Sequence, residues 1–447
     1  IIPLVKLKGN VFLKSHFASH VSRYGNHALG QELIKMYLYT LLSICSLTAA
    51  ADIRGLWNIV KSVIDFSHDT YVPVDARLNI TQLARKYGYI LEEHTVITED
   101  GYILDVHRIP NRQKRKRPVV LLMHGLLESS DTWMLMGPDK ALAYVLADQG
   151  VDVWMGNSRG NKHAQTHTTL NTSMSEYWDF SWEEIALYDL PAMIDYILEE
   201  TGSDGIYYVG HSQGTTVGYV LCSMKPEYND KIKIMFSLAP VAWMGHVKSP
   251  IVRMFSPAQN ILKVLLKDLN VYTAGISFVN KISAFVCTVM PEKCDTILYA
   301  LSGRETKIDD TFLSVILGHS PTGSSTLEFV HYGQLVQSYR FCRYDYGDED
   351  NIIKYGERTP PDYNLSYVTV PVVLFYSAQD WLADTQDVEI LMKNLSNINE
   401  TIFIDDFTHL DYVYAPDAVD IIYSRIVNKI NDYENHYHYL DIKTFKQ

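Results

Sequence analysis

No internal repeat and no low-complexity tract interrupts the 447 residues, which sets aside solenoid and propeller architectures. Basic residues are outnumbered, 39 Lys and Arg against 52 Asp and Glu. The resulting net charge of −13 argues against nucleic acid as a partner. Cysteine is scarce, five residues in all, with no Cys/His spacing of the zinc kind. The pair His436 and His438 in the tail is too isolated to make a metal site. The apolar run Tyr37–Leu47 is too short to span a bilayer. What the chain does have is 47% hydrophobic residues, enough at this length for a full core and a second, smaller unit.

The most informative stretch is Ile206 to Val209, an apolar β-type segment, followed by Gly210, His211, Ser212, Gln213 and Gly214 and then a helical pattern. A serine hydroxyl is a poor nucleophile unless a strained turn exposes it beside a base. Glycines two before and two after Ser212 relieve the crowding of such a strand-to-helix turn. The helix starting at Gln213 then aims its first N–H groups at a developing oxyanion.

A nucleophilic serine in this context takes its partners in the order Ser, acid, His. The run Val370–Tyr376 reads as a buried strand, with Asp380 just beyond it. Thr401–Ile404 reads as the next strand, and His409 lies in the loop after it. Both residues fall at the carboxyl edge of a parallel sheet. We therefore assign Ser212 as nucleophile, His409 as general base and then acid, and Asp380 as the group that orients the imidazole. The rival acids are Asp384 and Asp387, which belong to the following helix, and Asp405, Asp406 and Asp411, which are too near His409 in sequence to approach its far nitrogen easily. Two backbone donors are needed for the oxyanion. Gln213 supplies one, and Leu126, after the strand Val119–Met123 and the turn at Gly125, supplies the other.

Strand-like and helical segments alternate through Gly88–Ile97, Tyr102–Ile109, Val119–Met123, Asp152–Met155, Phe180–Glu200, Ile206–Val209, Gln213–Met224 and Ile232–Leu238. The alternation implies a mostly parallel sheet covered by helices on both faces. It stops after Pro240 and resumes at Val370. The expected organisation is a core over residues 52–240, an inserted, mainly helical cap or lid at 241–365, and the rest of the core with a C-terminal tail at 366–447. Phe255, Ile261, Leu262, Leu265 and Leu266 in the insert either line an apolar pocket or form its own core. His319 and His331, also in the insert, read as structural hydrogen-bonding residues.

Five runs now stand in order: His124–Trp133, Val153–Gly160, Gly210–Thr216, Asp380–Asp384 and His409–Asp411. In them the chain resembles the gastric and lysosomal acid lipases, over roughly residues 79 to 430, most of its length. The resemblance implies an α/β-hydrolase fold and a serine ester hydrolase releasing fatty acids from triacylglycerols or cholesteryl esters. It places Ser212, Asp380, His409, Leu126 and Gln213 in the roles argued above. No metal or organic cofactor is needed. The partner is a lipid ester at a lipid–water interface, with no nucleic acid and no stable protein partner implied. An acidic working pH and a disulfide between Cys287 and Cys294 follow from the resemblance alone. Two other readings stay open, a non-catalytic lipid carrier on the same scaffold and an esterase for smaller soluble esters. The presence of Ser212, Asp380 and His409 together argues against the carrier.

The segment Met36–Ala51 reads as a signal peptide, with small residues at Ala49–Ala51, and residues 1–35 as an upstream extension. The expected route is the secretory pathway, to the exterior or the lysosome. In that setting the five Asn-x-Ser/Thr sites Asn79, Asn171, Asn364, Asn394 and Asn399 become glycosylation candidates. Cys45 leaves with the signal, Cys222 is expected to be a buried free thiol and Cys342 to be unpaired. The basic run Arg112–Arg117 reads as a solvated loop between two strands.

Overall fold

The computed structural model describes residues 72–111, 117–258, 302–304 and 306–444. The signal peptide and upstream extension, most of the basic run, the Cys287–Cys294 pair, Ile261, Leu262, Leu265, Leu266 and the side chain of Phe255 lie outside the described residues.

Nine strands among the described residues form one sheet: β1 (Glu92–Ile97), β2 (Tyr102–Ile109), β3 (Val119–Met123), β4 (Asp152–Met155), β5 (Thr166–His167), β6 (Ile206–His211), β7 (Ile232–Leu238), β8 (Val372–Ser377) and β9 (Ile398–Ile404). They lie in the order β1-β2-β4-β3-β6-β7-β8-β9, with β5 added to β2. Pairing is antiparallel for β1 with β2 and for β2 with β4 and β5, and parallel from β4 through to β9. The fold is therefore an α/β-hydrolase fold with a mostly parallel central sheet.

Sequence pattern and position agree. All residues of β3, β4 and β6 are buried, because helices cover both faces of the central strands and leave no side for polar residues. β1 and β9 are the outer strands, and there buried or half-buried residues alternate with exposed ones. The helices Leu142–Asp148, Leu190–Thr201 and Gln213–Met224 supply Leu142, Leu146, Leu190, Ile194, Ile197, Val217 and Leu221 to the common core.

Several boundaries differ from expectation. β1 starts at Glu92 rather than Gly88, because residues 87–89 close the preceding helix Ile80–Lys86. Gly88 N–H donates to Arg85 O and Tyr89 N–H to Ala84 O, with Gly88 at φ +83. β8 starts at Val372 because the Val370 amide donates to the Asn229 side chain instead of to a strand. β9 starts earlier than expected, at Ile398, and β6 runs on to His211. β5 is two residues long and shows no periodicity to read. The helix expected over Phe180–Glu200 is capped by Ser181 and widens into a π turn at Ile185–Asp189 before continuing as Leu190–Thr201. Pro191 has no amide to donate there, and the wider turn accommodates the gap. The same turn carries buried Asp189, which accepts from Arg159 N and Nε at 2.9 and 2.8 Å.

Between β7 and β8 the described residues include the helices Pro250–Phe255, Asp310–His319, Thr326–Ser338 and Asp348–Tyr355. Thr326–Ser338 opens on a capping box made by Ser325 and Glu328. His331 of this helix stacks on Trp182, ring centroids 3.7 Å apart, and bonds Cys342 O at 2.9 Å. Burial pushes its pKa down to about 3, so it is a neutral structural residue. His319 bonds Asp131 Oδ2 at 2.6 Å and Asp75 O at 2.8 Å, also within the structure. Cys222 and Cys342 are free and buried, as expected, with the Cys222 thiol pushed up to about 12 by burial.

Candidate active site

The chain runs from β3 to β4 on one side of the sheet and then crosses to β6 on the other. The carboxyl ends of β3 and β6 thus flank a topological switch point, where open α/β sheets place their sites. Register makes the ends level: Met123 pairs with Gly210, His211 with Leu238, and Ser377 with Ile404.

Ser212 sits on the turn between β6 and the helix Gln213–Met224 at φ 54, ψ −117, outside the ordinary regions for a non-glycine residue. Neighbouring glycines permit the turn. A Cβ on Gly210 would lie 2.6 Å from the Gly214 carbonyl carbon, and one on Gly214 would lie 2.2 Å from Met123 O.

His409 Nε2 lies 2.7 Å from Ser212 Oγ, and His409 Nδ1 lies 2.9 Å from both carboxylate oxygens of Asp380. Asp380 is fully buried, and its Oδ1 also accepts from the amides of Leu382 at 2.9 Å and Ala383 at 2.8 Å. With Nδ1–H donated to a carboxylate, Nε2 is left as the acceptor facing the serine hydroxyl. The arrangement can take a proton from Ser212 and hold the resulting imidazolium against a fixed negative charge.

The loop after β3 closes the other side. Gly125 packs against the elbow: a Cβ there would meet Ser212 Cβ at 3.2 Å and His211 Nδ1 at 3.3 Å. The next amide, that of Leu126, is carried to the elbow by this contact. Gln213 is the first residue of its helix, so its amide has no intrahelical partner. Leu127 takes φ +63, and Thr322, between β7 and β8, holds that strained turn, donating from N to Leu127 O at 2.7 Å and from Oγ1 to Glu128 O at 2.6 Å. The main-chain oxygen of Ser302, also between β7 and β8, accepts from His409 N and Trp381 N, each at 3.2 Å.

Among known sequences, a family model described as partial alpha/beta-hydrolase lipase region matches residues 80–137, and one described as alpha/beta hydrolase fold matches 118–275. Lipase 1 of Drosophila melanogaster is 40% identical over 360 residues, 79% of this chain and 80% of its own length. Lysosomal acid lipase/cholesteryl ester hydrolase of Homo sapiens is 37% identical over 374 residues, 82% of this chain and 94% of its own. Gastric triacylglycerol lipase of Rattus norvegicus is 39% identical over 363 residues, covering 79% and 92%. The chain belongs to the acid lipase family.

In this acid lipase the rival carboxylates are engaged elsewhere. Asp384 caps the helix Thr385–Asn394 and pairs with Lys248, and Asp387 binds His246 at 2.7 Å. Asp405 is exposed, and Asp406, also exposed, pairs with Lys307. Asp411 accepts from Thr408 N and Oγ1 at 2.6 and 2.7 Å and so braces the turn that presents His409.

Two further carboxylates, Glu128 and Glu328, have no role in the sequence reading. Glu128 accepts from Gly125 N at 2.8 Å, from Tyr414 Oη at 3.1 Å and from His211 Nδ1 at 3.3 Å. Glu328 accepts from the Gln213 side chain at 2.6 Å, from Ser324 Oγ at 2.6 Å and from Ser325 N at 2.9 Å. Burial pushes Glu328 up to about 7. The spacing Ser325-x-x-Glu328 carries a capping signal that could have marked Glu328 as structural. Nothing local marks Glu128 and His211, which are 83 positions apart.

Proposed function

We propose that this acid lipase releases fatty acids from neutral lipid esters, triacylglycerols or cholesteryl esters, through an acyl-enzyme on Ser212. It is a carboxylic ester hydrolase. The observation that carries the mechanism is the continuous chain Ser212 Oγ, His409 Nε2, His409 Nδ1 and Asp380, with contacts of 2.7 and 2.9 Å.

His409 takes the Ser212 proton as Oγ bonds to the ester carbonyl carbon. The carbonyl oxygen becomes an oxyanion held by the Leu126 and Gln213 amides. The tetrahedral centre collapses, the carbon–oxygen bond to the alcohol breaks, and His409 returns its proton to the leaving oxygen. Water enters, loses a proton to the same nitrogen and attacks the acyl-enzyme. Collapse frees the fatty acid and reprotonates Ser212. Asp380 keeps its charge throughout and stabilises the imidazolium. The segment 241–365 acts as a cap over this edge, a reading supported by the Thr322 and Ser302 contacts.

Two of the named relatives carry triacylglycerol and cholesteryl ester in their names, and both classes are neutral esters of fatty acids. We place the chain in the secretory pathway, with delivery outside the cell or to the lysosome. Asn79, Asn171, Asn364, Asn394 and Asn399 are all exposed, as glycosylation requires.

The test is hydrolysis of emulsified trioleoylglycerol and cholesteryl oleate across acidic and neutral pH by the secreted protein and its Ser212→Ala variant. Fatty-acid release that depends on Ser212 is expected. Release that survives the substitution overturns the assignment, and no release by folded wild type favours a smaller ester or a carrier.

A further inference from the structure

We propose that Glu128 and His211 form a buried ion pair that positions the oxyanion loop and the His409 loop against Ser212, making both residues positioning groups for ester hydrolysis. The inference rests on the reading of Ser212, His409 and Asp380 given above.

Three contacts place the pair at the junction of the reacting groups. Glu128 Oε2 accepts from Gly125 N, the amide immediately before Leu126, at 2.8 Å. The same oxygen lies 3.3 Å from His211 Nδ1. His211 Nε2 lies 2.9 Å from the main-chain oxygen of His409. One side chain thus reaches the oxyanion loop, and the other reaches the backbone of the base. His211 itself directly precedes Ser212, so the three moving parts of the reaction share one fastening. Gly125 fills the space between, since a Cβ there would meet Glu128 Oε2 at 2.9 Å, His211 Nδ1 at 3.3 Å and Ser212 Cβ at 3.2 Å.

Proton positions follow from the partners. A carbonyl only accepts, so His211 Nε2 carries a hydrogen for His409 O. Glu128 already receives Gly125 N–H and Tyr414 O–H, an environment that favours the carboxylate, so His211 Nδ1 donates as well. His211 is then an imidazolium. Burial opposes its charge, but the Glu128 hydrogen bond and charge raise its pKa above the ordinary value. Burial likewise opposes the Glu128 charge, and His211 lowers its pKa below the ordinary value.

The other titratable groups facing the pair are His124, Asp380, His409 and Tyr414. His124 accepts from Ser158 N at Nε2 and so donates from Nδ1 to Gly125 O, which makes it neutral. Asp380 adds negative charge and reinforces the imidazolium. Tyr414 stays protonated, its pKa held well above the usual value by burial.

The pair is consequently complete between the lowered pKa of Glu128 and the raised pKa of His211. It opens as pH rises through the latter, when His211 loses the Nδ1 proton. The positioning of the oxyanion loop is then lost on the alkaline side.

Glu128→Gln and His211→Gln, in the full secreted chain, test this with a soluble short-chain ester. Each is expected to lower kcat by about 10- to 100-fold with little change in KM, the cost of a displaced reacting group. The double variant should be no worse than the poorer single one, because both remove the same fastening. Wild type is expected to show an alkaline limb in its kcat–pH profile and both singles to lack it, a change that a merely structural role would not produce. Folded variants with wild-type kcat and an unchanged alkaline limb overturn the proposal. Nitrogen NMR of the histidine rings in wild type needs no variant: His211 protonated on both nitrogens at the active pH is expected, and a neutral ring there overturns it. Wild type whose Ser212 fails to react with an alkyl phosphonate, or Ser212→Ala that still turns over, refutes the underlying triad instead.

Discussion

The carboxyl edge of the sheet and the segment between β7 and β8 both bring a buried carboxylate to the elbow, and the two are held differently. From the edge, Asp380 reaches Ser212 through His409 and is held by that ring and two backbone amides. From the insert, Glu328 reaches Gln213 through its side-chain amide and is otherwise held by Ser324 and Ser325. On the mechanism proposed above, a histidine that can carry charge makes the first carboxylate an electrostatic partner for the reaction. Burial raises the pKa of Glu328 to about 7 against the hydrogen bonds it accepts, so the group is protonated under acid conditions. The lesson is that the same functional group is set to opposite tasks by what packs around it.

The comparison breaks most severely at the edge. Ser212→Ala keeps the strained turn, because alanine is no more at ease at φ 54 than serine. Turnover should fall by about 10⁶-fold with an unchanged melting curve, as kinetics and calorimetry would show. Asp380→Asn leaves the shape intact but offers His409 an amide that can hold the wrong tautomer, so kcat should fall by about 10⁴-fold. A loss no larger than a few-fold would mean that Asp380 does not serve His409.

Smaller effects sharpen the comparison on the insert side. Glu328 has a folded pKa raised from 4.5 to about 7, so the folded state holds its proton longer than the unfolded chain. Its contribution to stability is full below the unfolded pKa and is lost as pH rises through about 7. Relative to Glu328→Gln, wild type should lose on the order of 3 kcal/mol across that window, measured by denaturant titration at several pH values. His331 has the opposite sign. Its pKa is lowered from 6.5 to about 3, so wild-type stability falls as pH drops through that interval while the unfolded chain takes up the proton. His331→Phe should flatten this acid-side loss while giving up the bond to Cys342 O, typically about 1 kcal/mol. A wild-type acid slope left unchanged by the substitution would place the titration elsewhere.

How much of this was legible beforehand differs along the chain. β3, β4 and β7 fall where mainly apolar runs put them, since a central parallel strand has little polar face to show. The elbow was readable because its glycines are a local steric requirement, and the residues that meet Ser212 follow two strand ends in order. β5 and the π turn before Leu190 have no signal to read, one too short to have a period and the other a local widening inside a helical pattern. Glu128 stood within a motif of the family resemblance and still received no role, because its partners His211 and Tyr414 are distant in sequence.

By itself, then, the sequence determined those features that come from near neighbours. These are the alternation of strands and helices, the turn chemistry around Ser212, the caps, and the order of Ser212, Asp380 and His409 along the chain. Only the tertiary structure decided which carboxylate meets which histidine, that Thr322 and Ser302 brace the loops of the site, and that Glu128 meets a histidine while Glu328 meets a side-chain amide. Local patterns encode backbone geometry within a few residues. Charge states and fastenings are set by desolvation and by groups that arrive from elsewhere in the chain.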